Sequence, residues 1–164
     1  IEKKLNGAKV IRLMPNVACI AGEMAAGISA GKNAAKSDIN KIINILKNAG
    51  KIYSVNEELM DAVTAIAGSG PAFFAYFIES IAETGARNGL PENIALELAA
   101  QTALGTAKLM LEKGIRPEEL ISMAASPKGT TMAGLEILES SNAKEILERA
   151  IAAAIKRSRE LARQ

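Results

Sequence analysis

The sequence predicts a mainly α protein with a small β portion: the end of an α/β sheet followed by an all-helical domain. Three observations carry this. Short β-prone runs occur only in the first 55 residues. From Asn56 onward the apolar residues recur with helical spacing, segment after segment. One of those helices, around residues 99–107, is small and apolar on nearly every face, so it needs covering on every side. The division expected is residues 1–55 for the sheet edge and 56–164 for the helical domain.

In order, Ile1-Glu2-Lys3-Lys4-Leu5 followed by Asn6-Gly7 reads as the last turn of a helix and its C-cap. With Ile at residue 1, the chain reads as the second half of something longer; a processed N-terminus is the competing explanation. Residues 9–14 are a strand stopped by Pro15, which cannot donate to a ladder. A loop and a second strand near residues 25–30 follow. Ser37-Asp38 then opens a helix with the stripe Ile39, Ile42, Ile43, Ile45 and Leu46, ending at Gly50, and residues 51–55 form a third strand. Three short strands and one helix are too few for an independent α/β domain, and they read as the closing edge of a larger sheet.

Asn56 or Ser54 caps a helix through Ile66, with Glu57 and Glu58 in its favourable first turn. Gly68-Ser69-Gly70 breaks it, and Pro71 sits at the first position of the next helix. That helix runs to about Asn88 and turns Phe74, Phe77, Ile78, Ile81 and Gly85 toward a core. The next carries Leu96, Ala100, Ala103, Leu104, Ala107 and Leu111, with Gly105 in its all-round apolar middle, and a second chain is the simplest cover for it. Arg116-Pro117-Glu118-Glu119 opens a short helix. Asn142 with Glu145 is a capping-box pattern for the last one. Its stripe is Ile146, Leu147, Ala150, Ile151, Ala154, Ser158, Leu161 and Ala162, and Lys156, Arg157, Arg159 and Arg163 form its solvated face.

Composition removes several functions. There is no histidine and one cysteine, which excludes zinc sites, Ser-His-Asp triads and Cys-His dyads within the chain. Cys19 reads as a buried small residue in a reducing compartment. Net charge is +2 and aromatics are 3%, without the basic face and stacking rings of a nucleic-acid binder. No apolar run reads as long and charge-free enough to span a bilayer, and no secretory signal opens the chain.

Binding chemistry concentrates in residues 125–136. A polar loop broken by Pro127 and Gly129 runs into a helix whose N-terminus presents unpaired N–H groups and a partial positive charge to a small anion. Ser126, Thr130 and Thr131 add hydroxyls, and Gly129 lets the backbone come close. Physics alone favours the plainer reading, a loop whose Ser and Thr cap a helix. Glu57, Asp61 and Glu79 have no evident partner and read as surface or capping charges. The glycines at 68 and 70 read as close packing between subunits.

Three stretches then stand in a telling order: Arg12-Leu13-Met14-Pro15-Asn16, Asp61-Ala62-Val63-Thr64-Ala65-Ile66-Ala67-Gly68-Ser69-Gly70-Pro71-Ala72, and Ser126-Pro127-Lys128-Gly129-Thr130-Thr131. Together they resemble the pyrroline-5-carboxylate reductases, over essentially the whole chain. The resemblance implies the C-terminal part of that family: the edge of a Rossmann-like dinucleotide-binding domain, then a helical domain that interlocks between subunits of a homodimer or higher oligomer. It implies a cytoplasmic oxidoreductase that reduces 1-pyrroline-5-carboxylate to L-proline with NADPH or NADH, the last step of proline biosynthesis, without a metal.

By the same resemblance Ser126, Gly129, Thr130 and Thr131 hold the substrate, and Thr131 donates a hydrogen bond to the imine nitrogen. Met14, Pro15 and Asn16 lie near the nicotinamide. Two departures stand out. No Gly-x-Gly-x-x-Gly follows a strand here, so the pyrophosphate site is expected outside this chain, and the chain alone is expected to be inactive. Lys128 stands where many members have a second glycine; it either helps an anion approach or points to solvent, the second being preferred. The competing reading is a free-standing helical dimerisation or small-carboxylate-binding module without redox activity.

Overall fold

A computed structural model describes residues 2–5 and 7–162. The expected N-terminal helix end rests partly on Ile1 and Asn6, which lie outside the described residues, as does Arg163. Glu2–Lys4 form a 3-10 turn, and Gly7 takes a left-handed φ of 74°.

Three strands form one sheet in the order β1 (Ile11–Met14), β2 (Met24–Ala30), β3 (Gly50–Ser54). β1 runs antiparallel to β2, with Met14 opposite Gly27, and β3 runs parallel to β2, with Gly27 opposite Tyr53. A parallel pair needs a crossover, and α1 (Lys36–Leu46) supplies it. The middle strand is buried on both faces: Met24, Ala26 and Ile28 are buried on one, Gly27 and Ser29 on the other. Residues 17–21, expected as loop, wind into a 3-10 helix that closes on Gly22.

α1 starts at Lys36, one residue before the predicted Ser37. The Asp38 carboxylate accepts from the Ala35 N–H at 3.0 Å and pairs with Lys9 at 3.0 Å. The Ala35 N–H first, then Lys9, hold its pKa below the ordinary aspartate value.

The largest departure from the sequence reading lies at residues 57–70. Glu57–Leu59 form a 3-10 turn, α2 (Met60–Val63) follows, and Thr64–Gly68 continue as a π-helical turn into α3 (Gly70–Arg87). The predicted break at Gly68-Ser69-Gly70 is therefore a widened turn, with Ser69 N donating to Thr64 O at 2.9 Å. This segment packs on the sheet, where a Cβ on Gly27 would meet Val63 at 2.6 Å. Met60 and Ala65 are fully buried.

The chain divides into two compact units, one ending at Phe73 and resuming at Glu148, the other Phe74–Leu147. The second holds most of α3, then α4 (Glu92–Lys113), α5 (Pro117–Ala124) and α6 (Thr130–Ser140). Its core is small: Ala82, Ala95 and Ala99, flanked by Ile78 and Ala86. Gly85 lets the two helices close, since a Cβ there would touch Leu90 at 3.2 Å and Ala95 at 3.4 Å. Phe74, Phe77 and Ile81, expected in a core, are exposed at 68%, 47% and 63%, because they lie on α3 faces that the unit's own helices do not cover.

α7 (Ala143–Leu161) begins in the second unit, where Ser141 Oγ accepts from Ala143 N at 3.2 Å, and its later turns, in the first unit, place Ser158 against α2. By length and composition, two helices do reach the range of a bilayer span, contrary to the sequence reading: Glu57–Arg87 and Glu92–Lys113, each containing an 18-residue stretch of mean hydropathy 1.2. Runs of alanine raise that average, and core helices of soluble proteins pass the same test.

Candidate functional site

The loop after α5 is shaped by one proline and one close approach. Gly129 N donates to Ser126 O at 2.9 Å, closing a four-residue turn. Pro127 occupies its second position and Lys128, with φ 60°, its third, the pattern of a type II turn. That third position favours glycine, and Lys128 is the one non-glycine with positive φ among the described residues. Glycine would take this φ freely, and Lys128 holds the turn at some strain. Its side chain is exposed, as expected.

Gly129 is the N-cap of α6, extended at φ −80°, ψ 170°, and no side chain caps the helix. A Cβ at this residue would collide with the Ser126 hydroxyl oxygen and lie 3.0 Å from the Ser126 carbonyl. The first helical bond runs from Ala133 N to Gly129 O at 3.3 Å, so the N–H groups of Thr130, Thr131 and Met132 precede the helical ladder. An open cleft of about 500 Å³ adjoins them, lined by Ala125, Pro127, Lys128, Gly129, Met132, Ala133 and Glu136. Ser126, Thr130 and Thr131 are exposed beside it.

Met132, Ala133 and Glu136 were given no role from sequence. The signal was available, because 129, 132, 133 and 136 share one helical face. Chemically the arrangement offers uncapped amides and hydroxyls to a small anion, with the Lys128 ammonium and the Glu136 carboxylate at its edge.

Met14, Pro15 and Asn16 lie in the other unit. β1 ends at Met14, and Asn16 precedes the 3-10 turn at Val17–Ala21 without capping it. Its amide turns elsewhere: Nδ2 donates to Ala67 O at 3.1 Å, and Oδ1 accepts from Ala25 N at 3.3 Å. A Cβ on Gly68 would meet the Met14 methyl at 2.7 Å. The close packing that Gly68 permits is therefore within this chain. The predicted site residues form two groups, 126–131 and 14–16, each assembled inside its own unit.

Several charges have partners that sequence did not reveal. Glu57 pairs with Arg12 across 45 residues. Asp61 accepts from Ser158 Oγ at 2.6 Å and lies 3.8 Å from Arg159, so neither Asp61 nor Arg159 is simply solvated. Glu79 is exposed, as expected. Cys19, expected buried, is exposed on the 3-10 turn. Among the described residues no three His, Cys, Asp or Glu side chains group as metal ligands.

A sheet edge carrying a helical unit, with an uncapped helix start in the helical part, defines a class: the edge of a Rossmann-like domain joined to a helical dimerisation domain. The pyrroline-5-carboxylate reductase dimerisation family matches residues 57–161. The chain belongs to the pyrroline-5-carboxylate reductase family.

Among relatives, the pyrroline-5-carboxylate reductase of Methanosarcina acetivorans is 43% identical over 160 residues, covering 98% of this chain and 59% of its own length. Two solved structures agree. The pyrroline-5-carboxylate reductase of Coxiella burnetii superposes with a TM-score of 0.91 at 31% identity, covering 95% of this chain and 58% of that one. The Plasmodium falciparum pyrroline carboxylate reductase, solved with NADP bound, gives 0.85 at 33% identity, covering 93% and 62%. The chain thus spans less than two thirds of each.

Proposed function

We propose that the protein carrying this chain is an oxidoreductase that reduces 1-pyrroline-5-carboxylate to L-proline with NADPH or NADH, the last step of proline biosynthesis. In this reading residues 1–55 belong to the dinucleotide-binding domain and 56–164 form the helical dimerisation and substrate-binding domain. The observation that carries it is the uncapped start of α6, with Ser126 folded against Gly129, in a chain of this family.

The substrate is a cyclic imine with a carboxylate. The N–H groups of Thr130, Thr131 and Met132 and the hydroxyl of Ser126 suit that carboxylate, because fixed donors at a helix start bind an anion without reorganising. Gly129 and Thr130 hold the ring close, and Thr131 donates a hydrogen bond to the imine nitrogen. The neutral imine accepts that bond through its lone pair; once protonated from solution, so that no histidine is needed, the nitrogen instead donates its N–H to the Thr131 hydroxyl oxygen.

When bound, the reduced nicotinamide supplies the hydride to the imine carbon. Met14, Pro15 and Asn16 fit only the nicotinamide end of that cofactor. Met14 and Pro15 bring apolar side chains, and the Asn16 amide is already bonded within the chain. None of them is suited to a pyrophosphate, which is assigned to a glycine-rich loop outside these residues. The exposed apolar faces of Phe74, Phe77, Leu98 and Leu104 support a homodimer or higher homo-oligomer. Cytoplasmic location is part of the same reading.

The test is substrate-dependent NADPH oxidation by this chain beside one extended to include a complete Rossmann domain. Activity is expected in the extended chain and not in this one. An extended chain that binds small carboxylates but never oxidises NADPH would support a binding module instead. Thr131→Val in the active form should lower kcat; unchanged turnover and KM would remove the role given to Thr131.

A further inference from the structure

Two of the stretches singled out from sequence, the one ending Met14-Pro15-Asn16 and the one running from Asp61 to Ala72, meet at one hydrogen bond, from Asn16 to Ala67 O. In an α-helix the Ala67 carbonyl would accept from the N–H four residues on. Residue 71 is proline and has no N–H. The next donor along, Ala72 N, is bonded to Ser69 O at 3.0 Å, and Phe73 N lies 3.4 Å from the same carbonyl. The α-helical donor to Ala67 O is thus missing, inside a part-buried contact. The Asn16 amide fills that place at 3.1 Å.

The same amide's oxygen accepts from Ala25 at 3.3 Å, so one side chain ties three segments: the end of β1, the start of β2 and the π-helical turn. Met14 presses its methyl onto Gly68 beside that bond. π-Helical turns recur at functional sites because they re-aim backbone and side chains.

We propose that Asn16 is a positioning residue. By satisfying the carbonyl that Pro71 orphans, it locks the Thr64–Gly68 turn to the strand end and so fixes Met14 and Pro15 where the nicotinamide ring is to pack. This rests on the reductase reading for the ring's location, while the hydrogen-bond lock itself does not. Asn16 then acts on hydride transfer through Met14 and Pro15. Displacing a positioned group by about an ångström can cost about a hundredfold in rate, so loss of the lock should fall mainly on kcat.

Two arms test it. On this chain, amide exchange at Ala25 should rise in Asn16→Leu and stay protected in Asn16→Asp, which keeps the acceptor. Unchanged exchange in Asn16→Leu would overturn the geometry. On the extended, active enzyme, Asn16→Asp and Asn16→Leu should both lower kcat about tenfold or more with little change in KM for NADPH. Adding Pro71→Ala, which restores an N–H four residues after Ala67, should return part of that kcat. A raised KM for NADPH at unchanged kcat would make Asn16 a direct cofactor contact and overturn the proposal. So would a lowered Tm with both kinetic constants unchanged, or no recovery with Pro71→Ala. If the unsubstituted extended chain shows no reductase activity, the reductase reading falls and the positioning role falls with it. An active parent with kinetically silent Asn16 variants overturns this inference alone.

Discussion

The sheet-bearing unit and the Phe74–Leu147 unit are built from equally apolar sequence, yet they treat it differently. The first closes its own interior: Ile28 and Met60 have no exposure at all, and Met24, Ala26, Ile39 and Ala65 are buried with them. The second buries only three alanines and leaves Phe74, Tyr76, Ile137 and Leu138 more than half exposed. A sheet with a helix packed on it can enclose large side chains within one chain. A few helices with small residues at their crossings bury little and keep their large residues for another surface. Apolar content alone therefore does not say where a core will form.

The sharpest way to break this comparison is to truncate one large apolar residue in each unit. Ile28→Ala should cost about 2–5 kcal/mol in urea unfolding, since the strand is enclosed on both faces. Phe74→Ala should change intrinsic stability by no more than about 0.5 kcal/mol while weakening self-association by light scattering. Equal losses in unfolding would erase the distinction.

Next in size is the close approach in the helical unit's loop. Gly129→Ala forces a Cβ into Ser126 and should raise the substrate KM of the active enzyme about tenfold, equivalent to about 1.4 kcal/mol. An unchanged KM would mean that the loop geometry does not matter for binding. A gain is expected one residue earlier. Lys128→Gly removes a left-handed side-chain conformation and should stabilise the chain by up to about 1 kcal/mol, read as a higher urea midpoint; a lower midpoint would show that the lysine makes a needed contact.

The smallest effect lies in the sheet unit. The folded pKa of Asp38 is depressed, so its contribution is present above the unfolded aspartate value and is lost as pH falls through the folded one. Asp38→Asn should therefore lower stability at pH 7 and leave it nearly unchanged at pH 2. A loss of the same size at both would show that the contribution does not depend on the carboxylate's charge.

Much of this was legible from residues. Pro15 ended its strand, and the Ile39-to-Leu46 stripe made a crossover helix. The polar loop from Ser126 to Gly129 ran into a helix as read, and Lys128 could be seen as a departure from glycine. What escaped was long-range. Glu57 and Asp61 had no partner within a helical turn, because their partners lie 45 and 97 residues away. Gly68-Ser69-Gly70 read as a break because glycine and proline usually end helices. A widened turn, held from outside by Asn16, lets the helix continue.

By itself the sequence determined the local elements, the family and the anion-ready helix start, because periodicity, capping and turn chemistry act over a few residues. Only the tertiary structure decided which apolar faces are covered within the chain, where residues 57–73 pack, and that Asn16 answers the carbonyl Pro71 leaves open. Those outcomes depend on contacts between segments far apart in sequence, where a hydrogen bond or a buried methyl has no local signature.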